Sequence, residues 1–348
     1  MQNPFPHEAV PLLIDWYRAG HRDLPWRETR DPYAILVSEI MLQQTRAETV
    51  KPYYHRFLAT LPTVGALAET DDDTLHKLWE GLGYYSRVRN LKRAAERVMD
   101  TYGGVIPADF DALLSLPGVG RYTAGAVASI AYDIPVPAVD GNVLRVVARL
   151  TGDDTDVLTP AAKTAAERAI APHVPTSGAG DLTQALIELG AVVCTPGGSP
   201  RCAECPLSLL CAAAREGRQA ELPVRNSKTT RRVEERTVLV IRTPDGRVAI
   251  RQRPDKGLLA GLYEFPCLDG HQNEADVRAY LEGLGLSVFT LAPLPAAKHL
   301  FTHIEWRMVG FAVDISRPSA LPEAWILATP QELDDKYAIP SAYAAYRG

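Results

Sequence analysis

Apolar residues recur at helical spacing through most of the first 193 positions of the chain, and an alternation of period two takes over in the last third. The change of period predicts a multidomain chain, with an all-α domain over residues 1–211 and an α+β domain over 233–348. Between them, residues 212–232 are polar and basic without periodicity, which reads as an interdomain linker. In the first domain an amphipathic helix is expected over 9–19, and Asp31 with Pro32 caps and opens a second helix running to Thr45. A basic helix follows from Arg87, a short one covers 109–116, another starts near Arg121, and 160–193 is largely helical. In the second domain residues 236–242 alternate as a strand, Pro244-Asp245-Gly246 turns the chain, and 248–251 returns as its partner. A helix over 273–284, strands over 288–290 and 299–315, and a last helix from Thr329 complete the expectation.

Several departures from this plain patterning carry candidate chemistry. Pro117 ends the short helix, and Gly118 and Gly120 permit the positive φ of a tight turn before the next helix begins, giving a helix-hairpin-helix. Amide N–H groups at such a turn can hold a phosphate oxygen without reading a base, although a Pro-Gly turn taken alone is more often an ordinary connection. Glu39 lines up with Leu36, Ile40 and Gln43 on an apolar helix face. There an unpaired carboxylate is costly, so Glu39 either pairs with an arginine or stays protonated as a candidate general acid. Asp140 precedes the amphipathic segment 141–147 as an N-cap, where amide hydrogen bonds are expected to lower its pKa; most such residues only cap. Trp26-Arg27, and Tyr84-Tyr85 before the basic helix, set aromatics beside cations, suited to stacking on bases or wedging between them, or equally to closing a core edge.

The 348 residues, with 46% hydrophobic and 23% charged, suit two globular domains. A net charge of −5 argues against a general polyanion binder, yet Arg87, Arg89, Lys92, Arg93 and Arg97 stand against Glu96 alone. A second basic run covers 225–236. The N-terminus lacks the pattern of a signal peptide and no apolar run reaches membrane-spanning length, so a cytoplasmic, DNA-associated protein without a membrane partner is expected. Cys194, Cys202, Cys205 and Cys211 are spaced C-x7-C-x2-C-x5-C, with Cys267 far away. Four clustered thiols argue for a metal, and three unequal gaps in one loop fit a four-thiolate [4Fe-4S] cluster better than the paired spacing usual for zinc.

With these stretches together, the chain resembles the adenine DNA glycosylases, the MutY family of the helix-hairpin-helix superfamily, over nearly its whole length. The resemblance rests on 38–45 (SEIMLQQT), 81–85 (GLGYY), 116–120 (LPGVG), 139–142 (VDGN) and the cysteine loop. It extends to a Nudix-like second domain, where 257–266 (GLLAGLYEFP) is similar to a GLWEFP-type segment and Phe301-Thr302-His303 falls at a Phe-Ser-His loop. Tyr263 stands where tryptophan is usual, Thr302 replaces serine, and the first cysteine gap has seven residues rather than six, lengthening a Gly-Gly-Ser-Pro turn over 197–200.

The resemblance implies hydrolysis of the N-glycosidic bond of adenine mispaired with 8-oxoguanine, or guanine, in double-stranded DNA by a monomer. Glu39 would protonate N7 of the flipped base and later help to activate water, while Asp140 stabilises the oxocarbenium-like sugar or adds to it. Tyr122 and Asn142 would position Asp140 and the substrate backbone. Tyr122 stands where the endonuclease III family carries a nucleophilic lysine, so strand cleavage is not expected. Trp26, Arg27, Gln184 and Glu188 are implied for the adenine pocket, Gln44 and Tyr84 for filling the opened duplex, Gly118 and Gly120 for the backbone, and Phe301, Thr302 and His303 for reading 8-oxoguanine. The alternatives are an endonuclease III-type glycosylase and lyase for oxidised pyrimidines, a nucleotide pyrophosphatase, and a non-catalytic lesion binder. The pyrophosphatase lacks its glutamate cluster, since 270–285 offers only Glu274, Asp276 and Glu282. His299 and His303, four apart on the expected strand, share a face for ordinary reasons.

Overall fold

The computed structural model describes residues 3–197, 200–226, 230–316 and 321–347. The chain divides into two compact units, Met1–Glu69 with Arg89–Ser227, and Thr70–Val88 with Lys228–Gly348. Among the described residues no helix is long and apolar enough to cross a membrane.

The first unit is helical. It opens with α1 (Ala9–Gly20), a short 3-10 turn at Pro25–Arg27, α2 (Pro32–Leu42), α3 (Ala47–Thr60) and α4 (Val64–Glu69). Next come α5 (Asp72–Trp79), which belongs to the second unit, and α6 (Ser86–Tyr102), within which the division falls. The first unit continues with α7 (Phe110–Leu114), α8 (Arg121–Tyr132), α9 (Gly141–Thr151), α10 (Pro160–Ile170), α11 (Ala179–Val192) and α12 (Ala212–Glu216). One apolar cluster gathers Leu13 and Tyr17 of α1, Val143, Val146 and Leu150 of α9, and Leu182, Leu186 and Leu189 of α11. Each such side chain contributes roughly 1.5–3 kcal/mol on burial.

Helix α2 starts where Asp31 accepts a hydrogen bond from the Tyr33 amide at 3.0 Å, with Pro32 at the first helical position. It stops at Leu42, not at Thr45: Gln43 leaves the helical region and Gln44 takes a left-handed φ of 59°. Every residue from Tyr33 to Met41 is buried, so α2 is a core helix and not an amphipathic one.

Two sequence expectations shift. The stretch 212–232 is not linker throughout, because α12 forms within it and Ala212, Ala213 and Leu222 are buried in the first unit. Residues 227–229 of that stretch, and 198–199 of the Gly-Gly-Ser-Pro turn, lie outside the described residues. Residues 70–88, assigned above to the helical domain, group with the C-terminal unit. The Lys77 ammonium of α5 donates to Leu333 O at 3.1 Å, and Glu80 accepts from the Ile339 amide at 3.1 Å and from Arg347 at 2.7 Å.

The second unit holds a mixed sheet built from β1 (Arg232–Arg242), β2 (Val248–Gln252), β3 (Tyr263–Glu264), β4 (Cys267–Asp269), β5 (Val288–Leu300), β6 (Ile304–Ile315) and β7 (Trp325–Ala328). The order is β3-β2-β1-β6-β5, with β4 also on β1 and β7 on β2; β1 and β6 are parallel, from Arg232 beside Ile304 to Arg242 beside Asp314. Alternation along β1 sends Val238 and Val240 to one core with Trp306, Tyr343 and Tyr346, and Leu239 and Ile241 to another with Val277 and Leu281 of α13 (Glu274–Gly283). A further short helix, α14 (Pro330–Asp335), is closed by a capping box between Thr329 and Glu332. Strand β5 runs on from the expected 288–290 to Leu300 despite Pro293 and Pro295. It is an edge strand with a register shift between Leu294 and Ala297, and an edge tolerates residues without N–H donors.

Candidate active site

A cleft of about 1330 Å³ in the first unit is lined by Trp26, Arg27, Glu39, Gln44, Gly118, Gly120, Tyr122, Asp140, Asn142 and Gln184, among others. It thus brings together side chains from α2, α8, α9 and α11 that are far apart in the chain.

Glu39 lies on α2 and is only 5% exposed. The Tyr122 hydroxyl of α8 donates to its Oε2 at 2.7 Å. Burial pushes the Glu39 carboxyl up to about 7 against the opposing pull of that hydrogen bond. Tyr122 therefore holds Glu39, where the sequence reading attached it to Asp140.

Asp140 caps α9. Its Oδ1 accepts from the amides of Asn142 and Val143, both at 2.8 Å, and its Oδ2 accepts from Asn142 Nδ2 at 2.9 Å. The cap geometry is as read from the sequence, but the expected lowering of its pKa is not found. Burial raises it, and the three hydrogen bonds with the nearby Arg145 charge offset only part of that rise. Asn142 is held in turn: Arg145 Nη2 donates to Asn142 Oδ1 and to Gly190 O, both at 2.8 Å, while Arg145 Nε donates to Cys194 O at 2.8 Å. Gly190 is required at this crossing, because a Cβ there would sit 2.6 Å from Asn142 Cβ.

Trp26 is buried with its ring edge-on to Tyr54, so it closes a core edge while also lining the cleft. Arg27 donates to Glu188 at 2.8 Å, and Arg22 grips the same carboxylate at 2.6 and 2.9 Å. Against burial, which would raise it, those arginines hold the Glu188 carboxyl down to about 2. Glu188 is 1% exposed and does not line the cleft; Arg22 does. The hairpin follows α7, with Gly118 at φ 76° and a virtual Cβ 2.5 Å from Asn90 Cβ; Gly120, expected to share the positive φ, instead has φ −90° as the N-cap of α8, and a Cβ there would meet open space.

The four clustered cysteines line one small cavity together with Arg149. Arg149 Nη1 donates to Cys194 Sγ at 3.3 Å and to Thr195 O at 2.9 Å. Among the described residues no group of three or more His, Cys, Asp or Glu side chains is gathered as a single metal ion requires. The four thiols around one cavity are the donor set that a four-thiolate iron–sulfur cluster would need.

In the second unit, Tyr84 has a left-handed φ of 48°, and its hydroxyl lies 3.0 Å from Thr302 Oγ1. Residues 301–303 form the turn between β5 and β6, not part of one continuous strand, so His299 and His303 do not share a strand face. The Phe301 amide donates to Ile304 O at 2.8 Å, its ring packs edge-on to Trp306, and Thr302 and His303 are exposed. Glu264 of the 257–266 segment is 2% exposed and fully engaged by Arg251, Arg253 and the Tyr343 hydroxyl, an architectural role.

Arg22, Arg145 and Gly190 escaped the sequence reading. Arg145 left a signal, since it and Arg149 interrupt the buried face of an otherwise apolar α9. Nothing local marked Arg22 or Gly190.

Residues 37–172 match the family model for HhH-GPD superfamily base excision DNA repair proteins, and 237–346 match that for a NUDIX domain. The chain is 35% identical to the adenine DNA glycosylase of Mus musculus over 89% of its own length and 72% of the relative's. It is 36% identical to that of Schizosaccharomyces pombe, over 74% and 68%. Among solved structures, a thermostable thymine-DNA glycosylase aligns with a TM-score of 0.54 at 32% identity, covering 60% of this chain and 97% of that one. A trapped covalent intermediate of endonuclease III with DNA aligns with a TM-score of 0.51 at 26% identity, covering 61% and 98%.

Proposed function

The chain belongs to the adenine DNA glycosylases of the HhH-GPD superfamily, enzymes of base excision repair that remove adenine from DNA, and from that premise we propose that it excises adenine opposite 8-oxoguanine by acid-assisted hydrolysis without cutting the strand. The observation that carries the mechanism is the Glu39 carboxyl, buried in the cleft and raised to about 7. A carboxyl of that pKa holds a proton at neutral pH and can give it to N7 of an extruded adenine, turning a poor leaving group into a neutral one. Asp140 faces the opposite demand. Positive charge developing on the sugar favours its anion, which the Asn142 and Val143 N–H groups hold in place to stabilise the oxocarbenium-like sugar or to add to it.

Tyr122 supports the absence of strand cleavage: a phenol bonded to Glu39 cannot form the Schiff base that a lysine there would form. Trp26, Arg27 and Gln184 form the adenine pocket, and Glu188 acts behind them by fixing Arg27 and Arg22. Gly118 and Gly120 hold the DNA backbone, and Gln44 and Tyr84 enter the opened duplex. Thr302 and His303, on a turn anchored by Phe301, read the 8-oxoguanine. Cys194, Cys202, Cys205 and Cys211 would hold a [4Fe-4S] cluster, which when bound would supply iron–thiolate bonds to the loop following α11. The protein acts as a monomer, in the cytoplasm on double-stranded DNA.

The test is base release from a duplex with one adenine opposite 8-oxoguanine, with alkali added to half of each sample. Breaks should arise only after alkali and slow as pH rises above about 7, and Glu39→Gln should lose about 100-fold or more of the single-turnover rate. Breaks without alkali, or a Glu39→Gln enzyme as fast as the wild type, would refute the proposal.

A further inference from the structure

Besides the protonated Glu39, the cleft is lined by the acidic Asp140 and Glu48, so cations able to meet phosphate matter there. Of its four basic side chains, Arg22 and Arg27 are committed to Glu188, while Arg46, at the N-cap of α3, and Lys163 are not. Lys163, in the first turn of α10, also lines the cleft, and among the described residues its ammonium makes no ion pair or hydrogen bond. Its position on α10 is defined by a neighbour. Glu167, one helical turn later on the same face, binds Arg121 at the start of α8 at 2.8 Å. That bond turns this face of α10 toward the hairpin, whose Gly118 and Gly120 line the same cleft. It also engages Arg121, the hairpin's own cation, through its Nε, and it sets Lys163 on the α10 face that turns toward the hairpin.

We propose that Lys163 is a positioning residue that contacts a phosphate of the DNA strand gripped by the hairpin, and so holds the backbone beside the extruded nucleotide. The proposal rests on the glycosylase reading above. A phosphate contact of this kind carries no sequence information and is released together with counterions. Loss of the charge therefore weakens binding to mispaired and undamaged duplex alike, and flattens its salt dependence.

The experiment uses the whole protein and a duplex with 2′-fluoro-2′-deoxyadenosine, whose glycosidic bond resists hydrolysis, opposite 8-oxoguanine, beside an undamaged duplex. Fluorescence anisotropy gives Kd at salt concentrations from about 50 to 200 mM. In Lys163→Met the slope of log Kd against log salt should fall by about 0.9 on both duplexes, as expected for one phosphate. Lys163→Arg should keep the wild-type slope, and so should Arg168→Met, a charge-matched change at an exposed position of α10 that does not line the cleft. A wild-type slope in Lys163→Met, or an equal fall in Arg168→Met, would overturn the proposal. Adenine release by the wild type from the unfluorinated duplex is measured in parallel, and its failure would strike the glycosylase reading instead.

Discussion

Glu39 and Glu188 are both buried glutamates of the helical unit, and their surroundings drive them to opposite ends of the carboxylate range. Glu39 meets apolar neighbours and a single phenol, and its pKa rises to about 7. Glu188 meets two guanidinium groups, and its pKa falls to about 2. Burial is nearly equal, so burial alone does not decide the state of a carboxyl; the presence of a cationic partner does. The region around Glu188 is paired and architectural. The region around Glu39 is left without a cation at bonding distance, which costs stability and yields a proton donor.

The largest effect should come from breaking the paired region. Glu188→Ala leaves Arg27, 6% exposed at its side chain, buried without its carboxylate, and removing one partner of a buried pair typically costs about 3–5 kcal/mol. Because the folded pKa lies below the ordinary 4.5, the stabilisation by Glu188 is complete above that value and is lost as pH falls toward 2. The melting temperatures of wild type and Glu188→Ala should therefore differ most near pH 7 and converge in acid. A constant difference across that range would show that packing, not charge, is what Glu188 supplies.

Glu39→Gln sharpens the contrast by going the other way. A folded pKa raised above 4.5 gives stability that is fully present below 4.5 and lost as pH rises through about 7. The neutral amide escapes that loss and can still accept the Tyr122 hydrogen bond. The gap in pKa corresponds to a gain on the order of 3 kcal/mol for the variant at pH 8, shrinking to nothing near pH 4. Melting at the two pH values decides it, and a variant less stable than wild type at pH 8 would show that Glu39 is paired as ionised.

Much of this was legible in sequence wherever the cause is local. The left-handed turn at Gly118, the Asp140 cap and the apolar setting of Glu39 each depend on residues a few positions away. What stayed hidden joins distant segments. Arg22 and Glu188 are 166 residues apart, and Tyr122 and Glu39 are 83 apart. No periodicity reports such pairs. The Asp140 shift was misread because an N-cap announces its hydrogen bonds in the sequence, whereas the burial that outweighs them comes from the assembled unit. In the second unit, Pro293 and Pro295 hid most of β5, since only the finished sheet reveals that strand to be an edge.

A smaller change tests whether the Asp140 region depends on such distant packing. Gly190→Ala puts a methyl group 2.6 Å from Asn142 Cβ, where helix α11 crosses the start of α9. Overpacking of this kind costs typically about 1–3 kcal/mol, and relief requires Asn142 to move. Asn142 donates to Asp140 and accepts from Arg145, so a shift loosens the carboxylate without touching it. The expected outcome is a folded protein with a modestly lower melting temperature, whose single-turnover rate of adenine release falls by about tenfold or more while Kd for the duplex stays close to wild type, because a small misplacement of a reacting group is expensive. Asn142→Ala should then impose little additional loss in the Gly190→Ala background, as expected when two changes act through one contact. Fully additive losses would mean that Gly190 serves the crossing of α9 and α11 alone.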